Sequence, residues 1–328
     1  MAAEIRRTTV IVLGKTLVLT ADSTDWTSRQ MMLTGLVTVD RIYRPVTKLQ
    51  KKLRSLHYHL NGDKSFWYAD WKMRIKEYNT VILYDSFLGS DVAEFIEKEA
   101  PETRLIVFYA NPWFNNYYLS DEARRKCEIW SFDLDDCKKY GLKYNHNFFF
   151  YNPVLETKTN PNFASDVFFV GKDKRRLQVL MKLETEIRQE GLKPFFYVKG
   201  ERRDVFGKKI KYTSQEKAFV QKSNLTYESV LEYNKVTKCI LEIMQPGQTG
   251  VTLRTVEAMF FNKKLITDNL AIMQYDFYSP KNIYILNHES RKLSDFIQDN
   301  EFSGWDPKFI KSYSFEHWLQ VFNAGNSR

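Results

Sequence analysis

Between Leu241 and Asn269 the chain reads LEIMQPGQTGVTLRTVEAMFFNKKLITDN. A β-rich run enters a loop of Pro246, Gly247, Thr249 and Gly250, and the loop opens onto a helical pattern carrying Arg254 and Glu257. Such a junction aims free backbone N–H groups and the positive end of a helix dipole at one point, a seat for an anion such as a diphosphate. Thr249 and Thr252 can add hydroxyl donors and Arg254 a charge-assisted contact. Glu257, one turn beyond Arg254, could hold paired hydroxyls such as those of a ribose. The same residues also fit a capped helix with an Arg–Glu surface pair.

A second constellation, Gly171-Lys172-Asp173-Lys174-Arg175-Arg176, follows the β-rich run DVFFV. If a nucleoside diphosphate leaves during reaction, negative charge develops that fixed cations must meet, and Lys172, Arg175 and Arg176 are the candidates. The alternative is a set of solvated charges at a helix start. Tyr227, in the run NLTY, could stack on a base or pack in a core. Asp85 directly follows TVILY, with Ser86 and Gly89 nearby. It is the first candidate for a general base and Asp22 the second, against a turn- or helix-capping role for either. Asn111, Trp113 and Asn115, in NPWFNNYY after RLIVFY, offer amides and aromatic faces suited to a sugar acceptor, or else a packed loop.

These groups need a scaffold, and the periodicity supplies one. Thr8 to Leu13, Thr80 to Tyr84, Arg104 to Tyr109 and Glu128 to Phe132 read as strands. Asp91 to Glu99 reads as a helix capped by Asp91, and Asp133 to Tyr140 as a helix ending at Gly141. Asp133-Leu134-Asp135-Asp136 reads as capping acids rather than metal ligands. From Tyr151 to Ser165 two Asn-Pro dipeptides and small polar residues mark a linker. Strand–helix alternation then resumes: strands at Asp166 to Val170, Pro194 to Val198, Cys239 to Ile243 and Lys264 to Thr267, with helices at Arg176 to Gln189, Tyr227 to Lys235 and Thr252 to Phe261. The expectation is an α/β protein of two Rossmann-like domains facing a cleft, residues 1–155 and 156–328.

Composition narrows the classes further. The 328 residues are 43% hydrophobic and 27% charged, so a disordered or low-complexity chain is excluded. Cys127, Cys137 and Cys239 have neither disulfide-framework nor metal spacing, which points to a reducing cytoplasm. Apolar runs are too short for a membrane span, and the first residues lack a convincing cleavage site. No serine-hydrolase elbow, Walker loop or dinucleotide fingerprint is present, and the five His couple to no nucleophile. The net charge of +9 suits phosphate-bearing partners. It is densest in RIYRPVTKLQKKLR, Arg41 to Arg54, where interleaved Leu residues fit either a surface helix with its apolar side on the core or a basic amphipathic helix on an anionic membrane.

The segment VEAMFFNKKLIT, with Glu257-Ala258-Met259 ahead of a basic turn and a strand, resembles the nucleotide-sugar-binding motif of bacterial GT-B glycosyltransferases. The longer stretch through YDFYSPKNIYI is similar to chains of lipopolysaccharide and capsular-polysaccharide biosynthesis. The resemblance covers mainly residues 165–290. It departs in one respect: the first Glu of the Glu-x7-Glu signature of many retaining members is replaced here by Thr249. No Asp-x-Asp stands at a strand end, so metal independence is expected, with no cofactor. The resemblance implies a donor site at Gly171, Lys172, Arg175, Arg176, Tyr227, Gly247, Thr249, Gly250, Thr252, Arg254 and Glu257. It also implies a glycan or lipid-linked acceptor on the first domain, and a terminal helix, FEHWLQVF, returning to that domain. The expected partners are a nucleotide sugar, that acceptor and an anionic membrane surface touched peripherally, and nucleic acid is not among them. Two competing readings are a nucleic-acid-binding protein using basic and aromatic surface, and a sugar-nucleotide epimerase using the donor site alone.

Overall fold

The computed structural model describes residues 15–58, 60, 62–84, 90–113, 124–201 and 210–324. The chain forms two compact units, one of Met1–His146 with Phe315–Arg328 and the other of Asn147–Ser314. The division thus falls ahead of the 155/156 boundary expected from composition. The polar stretch after Tyr151 belongs to the second unit and carries a short helix of its own.

The first unit is a six-stranded parallel sheet in the order β2-β1-β3-β4-β5-β6. Its strands are β1 (Thr16–Thr20), β2 (Thr38–Arg41), β3 (Thr80–Tyr84), β4 (Arg104–Tyr109), β5 (Glu128–Ser131) and β6 (Lys143–Tyr144). Its helices are α1 (Trp26–Leu33), α2 (Lys48–Tyr58), α3 (Ser90–Glu99), α4 (Leu134–Tyr140) and, from the end of the chain, α12 (Phe315–Ala324). The strand expected at Thr8–Leu13 lies outside the described residues. The adjacent run TLVLT forms β1, buried along its whole length. TVILY and RLIVFY read as continuous apolar runs because both faces of a parallel sheet are covered.

Asp133 caps α4 by accepting from the Asp135 and Asp136 amides, and Gly141 ends it with φ 65°, a left-handed turn that glycine adopts freely. Asp91, by contrast, does not cap α3. It sits in the first turn and accepts hydroxyl bonds from Tyr58 and Tyr68. In α12, Trp318 packs edge-on against Phe108 at 5.1 Å and Phe322 against Trp130 at 4.9 Å, so the helix covers sheet residues of the first unit.

The second unit repeats the plan in the order β12-β11-β10-β7-β8-β9. Here β7 is Val167–Lys172, β8 Pro194–Lys199, β9 Val220–Gln221, β10 Cys239–Glu242, β11 Lys264–Thr267 and β12 Ile283–Ile285. The helices in chain order are α5 (Tyr151–Glu156), α6 (Leu177–Gln189), α7 (Ser214–Phe219), α8 (Tyr227–Val236), α9 (Leu253–Phe260), α10 (Leu293–Gln298) and α11 (Pro307–Ser312). Along α6, Leu177, Leu180, Leu183 and Ile187 make the buried stripe. Each such side chain contributes roughly 1.5–3 kcal/mol.

In both sheets the first strand lies between neighbours reached in opposite directions, β1 between β2 and β3, and β7 between β8 and β10. The crossover helices therefore diverge there, and the crevice beyond the carboxyl ends of β7 and β10 is where an open parallel sheet takes a ligand.

Of the two readings of the Arg41 to Arg54 segment, the core-facing one does not hold. Helix α2 does not turn its leucines to the core: Leu49, Leu53 and Leu56 are 68%, 51% and 61% exposed, because the helix is held by other residues. Among the described residues, no helix is long and apolar enough to cross a membrane.

Candidate functional site

The end of β7 is shaped by a sharp turn. Lys174 and Arg175 have φ of 42° and 66°, left-handed values that L side chains rarely adopt, and the turn sends Arg176 back over the strand. Its guanidinium lies 5.0 Å from the Phe169 ring, donates from Nε to the Lys172 carbonyl at 3.2 Å, and donates from Nη1 to the Ile243 carbonyl beyond β10. Arg176 thus bridges the two strands that flank the crevice. Burial, and then the charge of Arg254, lower its pKa to about 10, so it stays cationic at neutral pH. Gly171 is needed here for space: a Cβ would stand 2.5 Å from Arg176 Nη2 and 3.1 Å from Phe169 Cζ. Asp173, fully buried, fixes the turn by accepting from the Leu177 amide at 3.2 Å and the Tyr212 hydroxyl at 2.9 Å.

Across the crevice, β10 ends at Glu242, which is buried. Its carboxylate accepts from the hydroxyls of Thr252, of Thr255 at 2.9 Å and of Thr267 at 2.6 Å, tying β10 to α9 and β11. Burial pushes its pKa above the usual carboxylate range, and the three hydroxyls oppose that shift. At the end of β11, Asp268 accepts from the Met244 amide at 2.8 Å. Burial raises its pKa, against the pull of that amide and of the Arg176 charge.

The loop between β10 and α9 contains a turn closed by the Gln248 amide on the Gln245 carbonyl at 3.2 Å, with Pro246 and Gly247 at its centre. Gly247 has φ 81°, the value a type II turn requires at that position. The Thr249 carbonyl accepts from Asn269 at 3.0 Å. Thr252 caps α9, accepting from the Arg254 amide at 3.0 Å while its proton goes to Glu242. That commitment removes Thr252 from the hydroxyl donors expected for a phosphate.

Glu257 is fully buried, and both its oxygens are engaged. Oε1 accepts from the Tyr227 hydroxyl, and Oε2 accepts from Asn234 at 3.1 Å and pairs with Arg254. Arg254 keeps 20% of its side chain exposed, so the expected surface pair is instead a buried carboxylate presenting a guanidinium. Tyr227 is half-buried and held by its hydroxyl at the head of α8. Of the other candidates, Lys172 is half-exposed and pairs with Glu201 at 3.0 Å, and Arg175 is exposed. Gly250 is buried in the loop.

In the first unit, Asp22 closes the turn after β1, accepting from the Thr24 amide at 3.0 Å and hydroxyl at 2.7 Å. Those bonds hold its pKa below the usual range, the opposite of what a general base needs. Asp85 and Asn115 lie outside the described residues. Asn111 is half-buried just past β4. Trp113 is corrected from a sugar platform to a core residue: it is 2% exposed, edge-on to Tyr109 at 5.0 Å, with its amide donating to Asp136 at 2.7 Å.

The structure therefore brings Arg176, Arg254, Glu242, Asp268 and the Gly247–Gly250 loop to one edge of the second unit. Glu242, Asp268 and Asn234 were not singled out from sequence. An acid at the last position of a central strand, as in CILE, is the one signal that pointed to Glu242.

The sequence matches no known protein family and no curated protein. Among solved structures, two of an alpha-glucosyltransferase in complex with UDP and a 13-mer DNA containing a HMU base are similar over 94% of both chains, with 9% and 10% identity and TM-scores of 0.50 and 0.51. A MurG from Acinetobacter baumannii, 10% identical over 94% of this chain and 99% of its own, has a TM-score of 0.43. The likeness to the alpha-glucosyltransferase shows the fold, the two-unit α/β arrangement called GT-B.

Proposed function

We propose that the protein is a glycosyltransferase that takes a sugar from a nucleotide donor held by the second unit and passes it to an acceptor bound by the first. The observation that carries this reading is Arg176, a half-buried cation laid across the carboxyl ends of β7 and β10, beside Arg254 and a turn-rich loop leading into a helix amino terminus. Leaving-group departure adds negative charge to a diphosphate, and cations fixed beforehand stabilise that charge without reorganising. Arg176 and Arg254 supply that field, and the Gly247–Gly250 loop lets the backbone approach the phosphates. Glu257 is a positioning residue, acting through Arg254 and Tyr227. UDP is the favoured nucleotide, since the alpha-glucosyltransferase of the same fold is held in complex with it.

For the base that takes the acceptor proton we choose Asp85, which follows β3 directly, over Asp22, whose hydrogen bonds make it a weak base. Asn111 and Asn115 are retained as acceptor contacts. The acceptor is a glycan or a lipid-linked glycan of bacterial surface polysaccharide synthesis, a reading supported by the resemblance of residues 165–290. Cys127, Cys137 and Cys239 form no disulfide, which supports a cytoplasmic setting.

The test is a thermal-shift panel of UDP-, GDP-, CMP- and dTDP-linked sugars and their nucleotides on the protein and its Arg176→Ala variant. A rise in Tm for one nucleotide family, absent in the variant, supports the reading. No rise with any of them contradicts it.

A further inference from the structure

We infer that α2 is the surface through which the first unit docks on an anionic lipid bilayer. This goes beyond the donor chemistry and rests on the first unit, whereas the donor site is in the second. Helix α2 spans Lys48–Tyr58, and none of its residues is buried. Its three leucines, Leu49, Leu53 and Leu56, recur at i, i+4 and i+7 and so share one face, with 68%, 51% and 61% of each exposed. Lys48 and Lys52 border that stripe by the same helical geometry.

The helix is held from the other side and from its end. Arg54 lies 4.6 Å from the Tyr43 ring centroid. Tyr58 bonds to the Tyr43 hydroxyl at 2.5 Å and to Asp91 at 3.1 Å, and His57 Nδ1 accepts from the Trp67 indole at 2.8 Å. The tyrosines and the histidine, rather than the leucines, attach the helix. Further along the chain, Leu60 and Phe66 are each 57% exposed.

Charge identifies the occupant. No acid occurs in the sequence between Asp40 and Asp63, and while Arg41 pairs with Asp22 at 3.5 Å, Lys48, Lys51, Lys52 and Arg54 on α2 and Arg44 just before it leave the helix strongly cationic. A nucleic acid would satisfy the cations and leave an aliphatic stripe against phosphates. A bilayer with anionic headgroups satisfies both, the leucines entering the acyl boundary while the lysine stems reach back to the headgroups. A helix of this length is about 16 Å long and can lie flat in the interface.

The full chain should co-sediment with mixed phosphatidylglycerol/phosphatidylcholine vesicles, less at high salt, and little with phosphatidylcholine alone. The triple variant Leu49→Gln/Leu53→Gln/Leu56→Gln keeps helix-forming residues at exposed sites and should lower partitioning about tenfold or more. Lys48→Gln and Lys52→Gln should each lower it about fivefold. UDP binding should be unchanged in all of them, which separates this inference from the donor-site reading. Absence of binding to the anionic vesicles, or equal binding by the triple variant, would overturn it. So would salt-sensitive nucleic-acid binding that survives the triple variant, or self-association of the chain that the triple variant abolishes.

Discussion

Replacing Gly171 by Ala probes the crevice through one methyl group. The new Cβ would stand 2.5 Å from Arg176 Nη2. An ordinary heavy-atom contact needs about 3.5 Å, so the guanidinium must retreat by about 1 Å, enough to break its bond to the Ile243 carbonyl. The Phe169 ring, at 3.1 Å, gives by a few tenths of an ångström. The fold should survive: the displaced atoms are the tip of a flexible side chain, and the lost bond, about 1 kcal/mol, is offset in part by the lower entropy of an unfolded chain with Ala in place of Gly. Donor affinity should not survive. A misplaced charge-assisted contact to a diphosphate is worth about 1.5–3 kcal/mol, or ten- to a hundredfold in Kd. Isothermal titration with UDP on wild type, Gly171→Ala, Arg176→Ala and the double variant reads this directly. The double variant should be no worse than Arg176→Ala, because both changes remove one interaction. Unchanged UDP affinity in a folded Gly171→Ala protein would refute the role given to Arg176.

Three further outcomes are expected. Glu257→Ala leaves the Arg254 guanidinium without its anion and should cost about 3–5 kcal/mol of stability in urea unfolding, less when Arg254→Ala is added. Thr252→Ala removes both the α9 cap and one donor to Glu242, and should lower stability by about 1–3 kcal/mol. Glu128, despite the burial that would raise its pKa, is held at about 2 by Arg104 and Lys143. A depressed folded-state value adds stability above the unfolded pKa of about 4.3 and loses it as pH falls toward 2. Glu128→Gln should thus cost at most about 3 kcal/mol at neutral pH and flatten the acid limb of the stability profile.

Much of the fold is legible because parallel strands buried on both faces leave unbroken apolar runs. TVILY, RLIVFY and KLIT show this, as do the caps Asp133 and Gly141 on either side of α4. The start of the first sheet is less so: two β-rich runs flank Gly14 and Lys15, and periodicity alone does not choose between them. Arg176 could be picked from sequence as a cation near a strand end, and Arg254 as one in the first turn of a helix that follows a glycine-containing loop. The strand-end position of Glu242 is a signal in the sequence, but its bonding is not, because Thr252, Thr255 and Thr267 meet its carboxylate only when β10, α9 and β11 pack together. Trp113 misled for a related reason: an aromatic in a polar loop suits a sugar, and only the packing of Tyr109 and the bond to Asp136 show it as core. The leucines of α2 have the spacing of a core-facing helix, and their exposure depends on Tyr58 and His57 holding the helix elsewhere.

If the proposed function is right, the second unit holds a nucleoside diphosphate at the carboxyl ends of β7 and β10. A co-crystal structure with UDP tests it most directly. Phosphate oxygens should lie about 3 Å from the Arg176 guanidinium and over the loop leading into α9. UDP bound elsewhere, with no phosphate near Arg176, would contradict it.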